Sequence, residues 1–307
     1  RTALFAAASL LVAGVVAALF WSADFTGSGL PSAEAYENIT LVTREGSREV
    51  YDDIARISLT PKGEILIDGK ENEGAETDRR TPRQEVRLHT SELVVPKGKR
   101  AHLQLSDGTR VWINSASVLR FPSAFGDTRD VFVEGEAYFE VQHDAQAPFV
   151  VSTNGLDIKV LGTRFNIRND DSDHRITTVL LEGAVKAYAS GDEKAAVRLR
   201  PSQQLVFDTR TGAMRLTDEP SADRSINWID GRFCFEHDTF GEIVAELKRY
   251  YNVDIRFMDE ALRSERFSGD FRVEDGIYHI MSVLQLTYKF TYKVVGNDIE
   301  IYPNPKR

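Results

Sequence analysis

The chain of 307 residues is short of the residues from which sites and staples are usually built. It holds one cysteine, Cys234, so it cannot close a disulfide within itself. An exported domain with this composition depends on its apolar core, and the 42% apolar content is enough for one. Cys234 alternates with Phe233 and Phe235 in a strand-like run, which predicts a buried structural thiol. The six histidines (His89, His102, His143, His174, His237 and His279) are far apart in sequence, and none has a partner at zinc-ligand spacing on a helix. No metal or cofactor is expected. Basic blocks are scarce: the nearest, Lys97 to Arg100, spans four residues. With a formal net charge of −9, that argues against a nucleic-acid partner. G-x-S-x-G, a P-loop and a helix-opening G-x-G-x-x-G are all missing, so the common hydrolase and nucleotide signatures are excluded.

Charge itself is missing from Ala3 to Trp21. At about 1.5 Å per residue this run spans roughly 28 Å, close to the ~30 Å hydrocarbon core of a bilayer. Arg1 precedes it, while Asp24, Glu34 and Glu37 follow. That asymmetry predicts a transmembrane helix over 1–23, cytoplasmic at its N-terminal side, with the remainder outside. A cleaved signal peptide is the competing reading. Its apolar region is usually about 7–15 residues, and Trp21 would occupy a cleavage position that wants a small residue. The first residue is Arg1, not methionine, so a cytoplasmic segment is expected ahead of the span.

Beyond the span, residues 24–84 read as a juxtamembrane linker with short strands. Gly27, Gly29 and Pro31 mark the lead, and Ile57/Leu59 and Ile65/Ile67 alternate across a Pro61-Lys62-Gly63 turn. Residues 85–220 carry a period of two almost throughout. Leu103 and Leu105 alternate, Asp107-Gly108 turns the chain, and Val111 and Ile113 resume. Val131, Val133, Gly135, Ala137, Phe139 and Val141 read as one face of a single long strand. The expectation is an all-β lobe of antiparallel strands, a sandwich or a solenoid-like stack.

Residues 228–303 change character. Thr239-Phe240-Gly241-Glu242 is a capping box, with Phe240, Ile243, Val244, Leu247 and Tyr251 at helical spacing behind it. Asp275 is placed to cap a second helix bearing Ile277, Ile280, Met281 and Leu284. The order reads β-α-β-β-α-β-β, a small α+β domain with two helices on a sheet.

Two features carry possible chemistry. Glu134, Glu136 and Glu140 share one parity, which could serve a glycosidase but is commoner on a solvated strand face. Gly162-Thr163 follows an apolar strand. A threonine hydroxyl there could attack the preceding carbonyl and cleave the chain once, if the turn were strained. An ordinary glycine turn is the simpler reading.

Several motifs together resemble a known family. They are Val95-Pro96-Lys97-Gly98, Leu105 to Ser117 (LSDGTRVWINSAS), Phe121-Pro122, Arg129 and Glu134 to Val141 (EGEAYFEV). Pro148 to Val151, Val160 to Ile167 (VLGTRFNI) and Glu182-Gly183-Ala184-Val185 complete the set. In order and spacing they are similar to the FecR family of transmembrane sigma-factor regulators. Trp228 to Tyr302 resembles the small signalling domain that ends many Bacteroidetes-type members. Ser106 stands where the family usually has proline.

The resemblance implies an anti-sigma regulator in the bacterial inner membrane with a periplasmic C-terminal domain. Its partners would be an extracytoplasmic-function sigma factor, met through the cytoplasmic segment, and the periplasmic N-terminal domain of a TonB-dependent outer-membrane transporter. Some members cleave themselves at a Gly-Thr that corresponds to Gly162-Thr163. No turnover catalysis is expected. Candidate partner-binding residues in 228–303 are Phe235, Tyr251, Phe267, Phe271 and Tyr292. The alternative is a membrane-anchored periplasmic carbohydrate-binding or hydrolytic β-domain, which would cluster exposed aromatics beside paired carboxylates.

Overall fold

A computed structural model describes residues 33–43, 46–50, 54–62, 64–67, 89–170, 174–287, 290–296 and 298–304. The apolar run Ala3–Trp21 lies outside them. Among the described residues no helix is long and apolar enough to cross a membrane.

Successive strands of the β-lobe are laid alternately on two sheets. β1 (Ile39–Thr43) and β2 (Gly46–Val50) open the first sheet, and β3 (Ile54–Leu59) and β4 (Ile65–Ile67) the second. β5 (Thr90–Val95) returns to the first, then β6 (Arg100–Gln104) and β7 (Arg110–Ile113) go to the second. β8 (Ser117–Pro122) and β9 (Arg129–Glu134) join the first, and β10 (Glu136–Glu140) the second. β11 (Phe149–Thr153) and β12 (Leu156–Val160) precede β13 (Arg164–Asp170) and β14 (Arg175–Glu182) in the same alternation. β15 (Val185–Ala189) and β16 (Val197–Leu199) end the first sheet, β17 (Gln203–Asp208) and β18 (Met214–Asp218) the second. Both sheets thus grow along the chain and enclose one apolar core. The expected sandwich and the expected stack are the same object. The strands inside 24–84 belong to these sheets: β1 pairs with β5 and β3 with β6.

The run from Val131 to Val141 is two strands, not one. The chain turns a corner at Gly135, where φ is +89°, and passes from β9 in the first sheet to β10 in the second. A Cβ at Gly135 would lie 2.3 Å from Ser117 Oγ and 2.7 Å from the Ala116 carbonyl oxygen, so only glycine fits. The alternation survives the corner because both sheets face the same interior. Val131, Val133, Ala137 and Phe139 are all fully buried. β10 is also the crossover that lets β9 and β11 pair in parallel, as β3 and β6 do, against the antiparallel expectation.

A 3-10 helix, Ala222–Asp230, leads to the small lobe. There β19 (Arg232–Thr239), α1 (Phe240–Tyr251), β20 (Ile255–Phe257), β21 (Arg266–Arg272), α2 (Ile277–Thr287), β22 (Phe290–Val295) and β23 (Asp298–Pro303) follow in the expected order. Two sheets replace the single expected one: β19 with β21, and β20-β23-β22 with β20 parallel to β23. The helices fill the core that both share, with Phe240, Ile243, Val244 and Leu247 from α1 and Ile277, Ile280, Met281 and Leu284 from α2. Thr239 and Glu242 form the capping box of α1. Asp275 does not cap α2; its carboxylate accepts from the Arg272 amide one turn earlier. The two lobes keep separate apolar cores.

Candidate functional site

Polar groups join the lobes. Glu136, near the Gly135 corner, is buried, and three side chains converge on it. Asn166 Nδ2 donates to Oε1 at 3.0 Å, and Asn114 Nδ2 and Arg249 Nη1 donate to Oε2 at 3.0 Å each. Arg249 comes from α1, so this ion pair crosses between lobes, with side chains only 14% and 8% exposed. One turn earlier on α1, Glu246 stands 4.0 Å from Arg168 of β13. Burial raises the Glu246 pKa above the usual carboxylate value, against the attraction of Arg168. The Gly98 amide donates to the Arg249 carbonyl at 3.3 Å. Arg100 donates to the Trp228 and Ile229 carbonyls at the end of the 3-10 helix and lies over the Tyr250 ring.

Glu136 is therefore not on the solvated face that alternation suggests. Glu140, also drawn in from solvent, pairs with Arg110 and Arg164. The two carboxylates are four residues apart on one strand, roughly 13 Å. Glycosidase pairs need about 5–10 Å. Nor, among the described residues, is there an exposed aromatic platform beside them. Trp112 is flanked by the His102 and Tyr138 rings and covered by Arg110. Tyr138 is buried, its phenol pushed up to about 12 by desolvation while Arg164 Nε donates to its oxygen.

At Gly162-Thr163 the structure shows a tightly packed turn. Thr163 is buried, and its Oγ1 donates to the Ala184 carbonyl at 3.0 Å. The flanking carbonyls of Leu161 and Thr163 accept from the Asp144 and Val141 amides. A Cβ on Gly162 would lie 2.6 Å from His143 Nδ1 and 2.7 Å from its Cα. A Cβ on Gly183 would lie 2.9 Å from both the Gly162 carbonyl oxygen and Thr163 Oγ1. Close approach thus requires glycine at both positions. The hydroxyl's proton is directed at an amide oxygen, which cannot remove it.

The five aromatic candidates do not form one surface. Phe235, Phe267 and Phe271 are buried in the small-lobe core. Tyr251 is half-buried and donates to the Val273 carbonyl; Tyr292 is half-buried with its hydroxyl 3.0 Å from Ser282 Oγ. The exposed large apolar side chains described in this lobe are others: Val294 and Val295 on β22, Tyr278 and Leu286 on α2, and Met258 after β20. β22 is the edge of its sheet. Alternation found these strands and the face of β19 and β21 that carries the aromatics, but that this face turns into the core follows from the lobe's packing, which the period alone does not reveal. Cys234 is half-buried, not buried as expected; burial raises its thiol pKa, and Sγ donates to Asp270 Oδ1. Among the described residues no group of three or more His, Cys, Asp or Glu is placed to hold a metal ion.

Comparison with known proteins matches both lobes. The family described as FecR protein matches residues 91–186, and that described as FecR, C-terminal matches residues 232–301. This chain belongs to the FecR family. Two crystal structures of a candidate anti-sigma factor from Parabacteroides distasonis, at 1.65 and 2.50 Å resolution, are similar to it. Each is 27% identical with a TM-score of 0.63; the matches cover 69% and 70% of this chain and 99% of those chains. No protein of curated function matches.

The FecR motif residues are mostly pins of the fold. Asp107 closes the β6–β7 turn by accepting from the Thr109 amide and hydroxyl, and also takes Arg129 Nη1 at 2.8 Å. Arg129 is buried and further donates to the Ala147 and Gln142 carbonyls, tying the turn to the approach to β11. Glu136 reaches the other lobe through its side chain, and Gly98 of the same motif set through its amide.

Proposed function

We propose that this FecR-family chain is a single-pass inner-membrane anti-sigma regulator. In this reading its two lobes lie in the periplasm and receive the periplasmic N-terminal domain of a TonB-dependent transporter. The transporter's state passes through the lobes and the Ala3–Trp21 span to an extracytoplasmic-function sigma factor on the other side. The observation that carries the reading is the paired family match, one to each lobe in chain order. The similar Parabacteroides distasonis structure, described as a candidate anti-sigma factor, supports the sigma-factor partner. The apolar run, with its charge asymmetry, supports the membrane topology.

The small lobe offers a docking mode. β22 has an unpaired edge among the described residues and exposes Val294 and Val295, so an incoming strand could extend the sheet there. Turnover catalysis has no part in this reading; the lobes act by binding. A sigma-dependent reporter tests it. Val294→Lys with Val295→Lys should abolish the transporter-ligand response while the protein still reaches the membrane at normal level. An unaltered response would refute docking at this edge. A reporter indifferent to deletion of the whole chain would refute the regulator.

A further inference from the structure

Between the lobes lies a cavity of about 310 Å³, within the size range of small-ligand sites (roughly 300–1,000 Å³). Its small-lobe wall is purely acidic, while the facing side mixes arginines with carboxylates. The β-lobe wall presents Arg168 and Arg175, from β13 and β14, with Glu219 just past β18; the small-lobe wall presents Asp238, Glu242 and Glu246, from β19 and α1. Glu136, also on the β-lobe wall, is already held by Asn114, Asn166 and Arg249. Arg168 and Glu246 face each other at 4.0 Å, too far for a hydrogen bond.

Two lining residues have buried polar atoms without a partner, and they are of opposite kind. Asn166 is 4% exposed; its Nδ2 is committed to Glu136, which fixes the amide's orientation and leaves Oδ1 as an unanswered acceptor. Arg224 Nη1 and Nη2 stand 3.4 Å from Glu236 and 3.8 Å from Glu219, but its Nε is an unanswered donor. Buried polar groups are normally satisfied, so such a pair in one cavity marks a place that a donor and an acceptor would complete. Burial raises the pKa of both Asp238 and Glu246, against the attraction of Arg224 on the first and of Arg168 and Arg249 on the second.

We propose that this cavity binds a small zwitterion of the α-amino-acid class. Its carboxylate would face the arginines of the β-lobe and of the 3-10 helix that joins the lobes, and its ammonium Asn166 Oδ1 and the carboxylates of the small lobe. Such a ligand touches both lobes, so its occupancy holds them together whatever docks on β22. Arginine is well suited to the carboxylate end, since it can offer two parallel N–H donors.

The test is thermal unfolding of the full chain in detergent with single L-amino acids at millimolar concentration, followed by calorimetric titration of those that respond. At least one should raise the melting temperature by several degrees. The matching amine without its carboxylate, and the matching acid without its amine, should not. Glu246→Gln and Arg224→Met should each weaken binding at least tenfold while melting as cooperatively as the parent. The proposal fails if no amino acid shifts the parent, as it would if the cavity holds only water. It fails equally if amine or acid alone does as well, or if both folded variants bind unchanged.

Discussion

Replacing Arg249 by methionine keeps the aliphatic stem of the side chain but leaves the Glu136 carboxylate without its cation. Removing one partner of a buried ion pair costs about 3–5 kcal/mol, because the other is left uncompensated. Glu136 retains two amide donors, Asn114 and Asn166, so the lower end applies, about 3 kcal/mol. In a unit of this size that is a fall in melting temperature of roughly 6–12 °C. Because the pair spans two separate cores, the small lobe should also begin to unfold on its own, splitting one transition into two. Adding Glu136→Gln removes the stranded carboxylate and should restore at least about 1.5 kcal/mol. Urea titration of the parent, both single variants and the double variant, followed by tryptophan fluorescence, gives the full cycle. A loss under about 0.5 kcal/mol in Arg249→Met, or no recovery in the double variant, would refute the buried inter-lobe pair.

Two other outcomes follow from the geometry. Thr163 Oγ1 faces the Ala184 carbonyl instead of a base, so the purified chain should run as one intact band. Two bands with a new N-terminus at Thr163, abolished in Thr163→Ala, would contradict this; Thr163→Ala should otherwise lose about 1–2 kcal/mol for a buried hydroxyl bond. Glu246 has its pKa raised by burial, so the folded state holds the proton more readily than the unfolded one. Stability from this group is therefore gained as pH falls from neutral toward about 4.3, and Glu246→Gln should melt higher than the parent at pH 7–8. Melting curves across that range check it: the difference should close near pH 4, and a constant difference would contradict the assignment.

Much of the fold was legible because period-two alternation records which side of a strand is buried. It could not record the corner at Gly135, since inward side chains remain inward when the chain crosses to the facing sheet. The capping box of α1 and the element order of the small lobe were local signals and came through intact. The division of that lobe into two sheets was not local: β19 pairs with β21 and β20 with β23 across intervening elements. The Glu136–Arg249 contact is more distant still, and a glutamate in an alternating run looks the same in a solvated strand as in a buried one. Phe235, Phe267 and Phe271 drew notice as aromatics in strands, yet their burial depends on the helices that cover them. Val294 and Val295, at the exposed end of β22, were the less conspicuous residues.

Amide hydrogen exchange on the full chain, with and without the periplasmic N-terminal domain of the proposed TonB-dependent transporter, asks most directly whether the small lobe receives such a partner. Added strand pairing should slow exchange along β22, and with it the end of α2 near Leu286, while the centre of the β-lobe stays unchanged. Stable mixing of the two proteins with no protection anywhere in residues 228–303 would contradict the account.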